Sequence, residues 1–82
     1  MNPEQMVRLI GNCAREVLPN IGLHEIRPSA QLAELGADSV DRAEIVMLVI
    51  ESLSLNIPRT ELFGASTIGE LANLLVAKLR ND

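Results

Sequence analysis

The sequence predicts an all-α fold: a small four-helix bundle of three main helices and one short helix, with a long loop after helix one. Two observations carry that prediction. Apolar residues recur at helical spacing in three separate segments whose starts carry capping residues, and no period-2 alternation is sustained anywhere along the chain. With 82 residues there is room for a single domain, residues 1–82. A domain of this size buries only roughly 60% of the surface its unfolded chain exposes, which argues against a deep two-lobed active site.

The first helix opens at Asn2-Pro3-Glu4-Gln5, where a capping residue precedes proline at the first helical position and Gln follows three residues after the cap. Met6, Leu9, Ile10, Cys13 and Val17 then form an apolar stripe that ends near Leu18, because Pro19 follows, so helix one covers roughly 3 to 18. From Pro19 to Asp38 the pattern is broken by Pro19, Gly22, Pro28 and Gly36, and only Leu32 to Leu35 suits a short helical turn. A loop of ~20 residues in so small a domain is functional or packed by its own side chains, and Ile21, Leu23, Ile26, Leu32 and Leu35 supply such packing. Asp38 caps a second helix of roughly 39 to 54, limited by Pro58. Arg59 to Phe63, closed by Gly64, suits the one-turn helix. Thr67-Ile68-Gly69-Glu70 reads as a capping box for a last helix of roughly 67 to 80. Its stripe is Ile68, Leu71, Ala72, Leu75 and Leu79, and Lys78 and Arg80 sit at its negative end.

Composition narrows the function classes. The chain is 48% apolar and 22% charged, which is too hydrophobic for disorder. A formal charge of −4 with Phe63 as the sole aromatic argues against nucleic acid, which calls for cations and stacking rings; an acidic face meeting a basic partner fits better. Cys13 has no partner for an internal disulfide and falls at helical spacing among apolar residues. A small core residue is the favoured reading over a reactive thiol, and a reducing cytoplasm fits. The longest apolar run, Ile45 to Ile50, is six residues, far short of the ~20 that span a bilayer, and the N-terminus lacks a signal-peptide core. The expectation is a cytoplasmic protein with no membrane anchor.

Helix two carries more apolar surface than one face needs. At about 100° per residue, Ile45, Val46, Val49 and Leu53 fall on one side, and Val40, Ala43, Glu44, Met47 and Glu51 on the other. Either the helix is central and covered nearly all round, or its second face is left for a partner. Glutamates interleaved with Val40 and Met47 favour the partner, since unpaired acids resist burial.

Ser39 stands at the start of this helix, in Leu35-Gly36-Ala37-Asp38-Ser39-Val40-Asp41. As a nucleophile it would need a general base. The single histidine, His24, lies in the loop with no metal-ligand spacing around it and reads as a solvated side chain. The second glycine of a G-x-S-x-G elbow is also missing. As a cap Ser39 is redundant, because Asp38 is as good and one position earlier. That leaves the serine in the first turn with its hydroxyl toward solvent, where unpaired N–H groups and the helix dipole favour an attached phosphate.

The ordered set Leu35-Gly36-Ala37-Asp38-Ser39-Val40-Asp41, Glu44, Leu53, Ile57-Pro58 and the Thr67-Ile68 helix resembles the acyl carrier protein family over nearly the whole chain. The resemblance implies that Ser39, with Asp38 beside it, carries 4′-phosphopantetheine derived from coenzyme A. Acyl groups would then ride on the thiol of that arm as thioesters. It also implies a non-catalytic carrier with no metal, whose docking face comprises Val40, Asp41, Glu44, Met47 and Glu51, leaving Ile45, Val49 and Leu53 for the core. The implied partners are a phosphopantetheinyl transferase and synthase enzymes: a hydroxymethylglutaryl-CoA-synthase-like enzyme, an acyltransferase or ketosynthase-type enzymes. A monomer with no nucleic-acid or membrane partner is expected.

Four positions depart from the general family pattern: Val40 for the usual Leu, Arg42 for a neutral residue, Ile50 for an acid, and Arg59 in a usually acidic stretch. They count against docking to ordinary fatty acid synthase enzymes. Ser39 to Ile45, Leu53 to Pro58 and Ile68 to Leu71 are more similar to the small discrete carriers of polyketide β-branching cassettes. Those present acetyl to a hydroxymethylglutaryl-CoA-synthase-like enzyme. The competing readings are a fatty-acid or other carrier, and an unmodified helical interaction module in which Ser39 is merely a cap.

Overall fold

The computed structural model describes residues 1–21 and 26–81; the readings of Gly22, Leu23 and His24 lie outside the described residues. In chain order the elements are α1 (Pro3–Val17), 3-10 turns at Pro19–Ile21 and Leu32–Leu35, α2 (Ser39–Ser52), a 3-10 turn at Arg59–Leu62, and α3 (Ile68–Asn81). The described residues are thus all-α. The expected fourth helix is the single 3-10 turn Arg59–Leu62, too short to complete an α-helical ladder. α1 packs against both α2 and α3, and the Arg59–Leu62 turn bridges α2 and α3.

The start of α1 is fixed by a reciprocal pair: Gln5 N–H donates to Asn2 Oδ1 at 2.8 Å, and Asn2 N–H donates to Gln5 Oε1 at 3.0 Å. Met6, Ile10, Cys13 and Ala14 are its buried line, with Leu9 and Val17 at the margins. The helix stops where Leu18 N–H donates to the Ala14 carbonyl at 2.7 Å, ahead of Pro19. Cys13 is a packing residue, and burial pushes its thiol above the usual range, opposed by a hydrogen bond with Ser52. It is therefore held in the unreactive protonated form.

The long loop is pinned to the start of α3. Ile68 N–H donates to the Ala30 carbonyl at 2.9 Å and Gly69 N–H to the Pro28 carbonyl at 2.8 Å, so the loop satisfies two of the unpaired donors of the helix N-terminus. A Cβ on residue 69 would stand 3.1 Å from the Pro28 carbonyl oxygen, and glycine permits the approach. Ile21 is buried, while Ile26, Leu32 and Leu35 pack half-buried against the core as expected. Gly36, at φ 99°, closes the Leu32–Leu35 turn in the left-handed region.

α2 is shorter than the sequence suggests, ending at Ser52 instead of near residue 54. Ser54 adopts φ 53°, its N–H donates to the Glu51 carbonyl and Leu55 N–H donates to the Ile50 carbonyl, both at 3.1 Å. This is a Schellman ending with serine in the place glycine normally takes. It also corrects the core assignment: Leu53, expected to close the stripe of Ile45 and Val49, is only half-buried, and Leu55 beyond the turn is buried instead.

The Thr67 box is modified as well. Thr67 Oγ1 accepts from Glu70 N–H at 3.1 Å, but the Glu70 carboxylate reaches past it to Ser66, accepting from N–H at 2.8 Å and from the hydroxyl at 2.9 Å. Lys78, expected to answer the dipole of the last helix, pairs at 2.7 Å with Glu61 of the 3-10 turn. Gly64 is not left-handed, so the turn before it closes without a glycine cap: Phe63 N–H donates to the Thr60 carbonyl at 3.3 Å.

Three outcomes follow from these endings. Ser54→Gly relieves a conformation that costs an L-residue about 1–2 kcal/mol, partly offset by the entropy of an added glycine, so urea unfolding should gain about 0.5–1 kcal/mol. Leu55→Ala should cost about 2–5 kcal/mol and clearly more than Leu53→Ala, measured side by side by the same method. Ser66, chiefly through its backbone N–H and then through its hydroxyl, holds the Glu70 carboxyl below its usual value. Its folded value is depressed, so the stabilisation is fully present above the unfolded value and is lost as pH falls through the folded one. Titration of the Glu70 carboxyl by NMR should show the depression, and Ser66→Ala should reverse only part of it.

Candidate functional site

The site is built by the start of α2. Asp38, in extended backbone at φ −84° and ψ −173°, caps the helix: Asp41 N–H donates to Asp38 Oδ1 at 2.8 Å, and Asp38 N–H donates back to Asp41 Oδ2 at 3.3 Å. The expected cap is therefore Asp38, in a capping box whose third residue is also acidic. Ser39 is the first helical residue and is exposed, with its side chain not needed for the cap. The two carboxylates sit at the positive end of the helix dipole, which offsets their mutual repulsion.

Beside Ser39 opens a cleft of about 280 Å³. One wall is α2, through Ser39, Arg42, Ala43 and Val46; the others are the loop at Gln31 to Ala33, the end of the 3-10 turn at Leu62 and Phe63, and residues Ala65 to Ile68 with Leu71. Val46, Leu62, Ile68 and Leu71 are buried core residues, so the floor is apolar. Nothing in the local pattern announces this cleft. Its lining brings together small residues, Ala33, Ala43 and Ala65, from segments distant in sequence.

The rest of α2 divides as its two-sided pattern suggests. Ile45, Val46 and Val49 are buried, whereas Val40 is 66% exposed, Met47 42% exposed, and Glu44 and Glu51 are exposed. The helix is thus not covered all round, and an apolar and acidic strip is left on the surface. Of the five residues expected there, Asp41 is only half-buried and its carboxylate is engaged with the Asp38 backbone. Glu44, Met47, Leu48 and Glu51 border a shallow depression.

The sequence marks Arg59 as a departure from the acidic pattern, but its contact with this strip and the placement of Phe63 escaped that reading. Arg59 Nη1 lies 2.9 Å from Met47 Sδ, so the cation that departs from the acidic pattern is laid over the helix-two face. Phe63 is 56% exposed at the lip of the cleft. The available signal for Phe63 was its isolation as the only aromatic, followed by Gly64 in a segment too short to bury it. Among the described residues no group of three or more His, Cys, Asp or Glu side chains could hold a metal ion, and no helix is long and apolar enough to cross a membrane.

Comparison with known proteins gives this geometry a context. The phosphopantetheine attachment site family matches residues 8–75. The chain is 58% identical over 66 residues to the polyketide biosynthesis acyl-carrier-protein AcpK of Bacillus subtilis (strain 168), covering 80% of each chain. It is 28% identical over 79 residues to the acyl carrier protein of Prochlorococcus marinus (strain MIT 9515), covering 95% of this chain and 98% of that one. Among solved structures, a chain in the crystal structure of the curacin biosynthetic pathway HMG synthase in complex with acetyl donor-ACP superposes with a TM-score of 0.90 at 51% identity, covering 94% of this chain and 99% of that chain. With the family matched over most of its length and these relatives beside it, the chain belongs to the acyl carrier proteins, whose acyl groups are carried on covalent 4′-phosphopantetheine.

Proposed function

We propose that the protein carries acetyl on a 4′-phosphopantetheine arm esterified to Ser39 and donates it to a hydroxymethylglutaryl-CoA-synthase-like enzyme, which adds it to the β-ketone of a chain held on a second carrier. The observation that carries the donor role is the likeness at 51% identity and TM-score 0.90 to a same-sized chain in a complex of an HMG synthase with an acetyl donor-ACP. Residues 1–82 act as one carrier unit in the cytoplasm, as a monomer.

Ser39 is favoured as the attachment point because its hydroxyl is exposed and free of capping, with Asp38 holding the helix start in its place. Coenzyme A supplies the arm: with a phosphopantetheinyl transferase bound, the Ser39 oxygen attacks the pyrophosphate of the coenzyme, forming a phosphodiester and releasing the adenosine bisphosphate. The other serines are placed differently. Ser66 is bonded to Glu70, Ser54 sits in a left-handed turn, Ser52 ends α2 and Ser29 lies in the loop.

Val40, Asp41, Glu44, Met47 and Glu51 form the docking face, with Arg59 over Met47. A partner matched to it brings cations for the glutamates and apolar contact for Val40 and Met47. Acyltransferase and ketosynthase-type enzymes are candidates for loading and downstream exchange. A primary-metabolism carrier is the second reading, favoured by the match over 95% of the chain to the Prochlorococcus marinus acyl carrier protein.

The deciding experiment has two steps. Incubation with coenzyme A and a phosphopantetheinyl transferase should add the mass of one arm to wild type and none to Ser39→Ala; full modification of the variant would overturn the site. Acetyl-loaded protein is then offered, with a chain-bearing acceptor carrier, to a hydroxymethylglutaryl-CoA-synthase-like enzyme and to a chain-elongating ketosynthase. Transfer should be efficient with the first and poor with the second. The opposite preference would leave a carrier but remove the β-branching role.

A further inference from the structure

This inference rests on attachment of the arm at Ser39 and concerns what holds the arm's phosphate. Ser39 and Arg42 line the same cleft. They are three residues apart on α2, the spacing that sets Cβ atoms about 5–6 Å apart on one side of a helix. Among the described residues lining the cleft Arg42 is the only charged one, and its guanidinium has no hydrogen-bond or ion-pair partner among the described residues, while its backbone N–H donates to the Asp38 carbonyl. The acids of the first turn are engaged with each other's backbone, Asp38 and Asp41 each accepting the other's N–H, and Glu44 borders the shallow depression with Met47 and not this cleft. An exposed guanidinium with no acid paired to it among the described residues, at an otherwise neutral cleft, is free to take an anion from outside the polypeptide.

We propose that Arg42 is a positioning residue for the arm: its guanidinium pairs with the phosphodiester on Ser39 Oγ and turns the first bonds of the arm toward the cleft, away from the strip of Val40 and Met47. The phosphodiester is a permanent anion at neutral pH and guanidinium a permanent cation, and the planar fork of arginine suits two phosphate oxygens at once. Without this cation the phosphate would stand among the acids of the α2 start with only backbone N–H groups to oppose them. Turning the arm aside also leaves the strip on α2 open to an enzyme while the cargo is still attached.

The test uses holo protein, with loading at Ser39 first established by intact mass. Phosphorus NMR at low salt should place the wild-type phosphodiester away from its position in urea-unfolded holo protein, and the Arg42 Nε–Hε signal should shift between apo and holo forms. In Arg42→Gln the phosphorus signal should move to the unfolded position and the arm's methylene relaxation should become that of a free chain. Arg42→Lys should retain part of the shift, and added salt should reproduce the Gln result in wild type. Circular dichroism checks that the helices persist. Should the transferase load Arg42→Gln poorly, the wild-type salt series and Arg42→Lys decide the matter. If wild type is loaded but its phosphorus position is insensitive to salt and to both substitutions, the proposal is overturned even if acyl transfer slows, because Arg42 would then be a contact for the enzyme and not for the arm. If wild type takes up no arm on Ser39, it is the attachment reading that fails.

Discussion

The availability of Ser39 depends on the carboxylate of Asp38. The first turn of a helix has N–H groups with no partner inside the helix, and a serine at its start ordinarily turns its oxygen onto one of them. Here Asp38 takes that place and accepts the Asp41 N–H at 2.8 Å, while Asp41 answers the Asp38 N–H. The hydroxyl one residue later is released toward solvent, yet it remains on a rigid helical position. The loading proposed for Ser39 uses both properties, because a transferase would have to find the oxygen in a fixed place and not already spent on the backbone.

The cap is in turn placed by a distant element. The loop leading to Asp38 is tied down through its Pro28 and Ala30 carbonyls by the first N–H groups of α3, and Gly69 allows the approach. Ala37, the residue just before the cap, is buried and anchors that end of the loop. The same arrangement makes the cleft, since Gln31 to Ala33 form one wall and Ala65 to Ile68 another. Thus the loop that looks excessive for an 82-residue chain sets the position of Ser39 and the space beside it.

What was legible in the sequence was local. The Asn2–Gln5 and Asp38–Asp41 pairs join residues three apart, so helix starts could be read directly, and buried Ile45, Val49, Ile68 and Leu75 follow from helical spacing. Misreadings occurred where neighbouring residues compete for one task. Ser54 takes the left-handed position that glycine usually marks, so the end of α2 was set late and Leu53 was given the burial that belongs to Leu55. Glu70 could answer Thr67 or Ser66, and spacing does not choose between them. The cleft and the contact of Arg59 with Met47 depend on segments brought together only by folding. Ser39 itself was legible as an unneeded cap; the expectation that it carries an arm came from the resemblance of the whole ordered motif to acyl carriers.

The circumference of α2 is shared among three tasks, which accounts for its unusual apolar pattern. Ile45 and Val49 face the core, Ala43 and Val46 border the cleft, and Val40, Glu44, Met47 and Glu51 face solvent. A single amphipathic stripe would serve only the first task. Apolar residues on the solvent strip contribute little to folding, since they stay wet, and the docking face proposed here gives them a use. Arg59 beside Met47 then sharpens the choice. A partner whose cations were placed to meet acids there would meet a like charge, and such a mismatch separates one enzyme from another as effectively as added attraction.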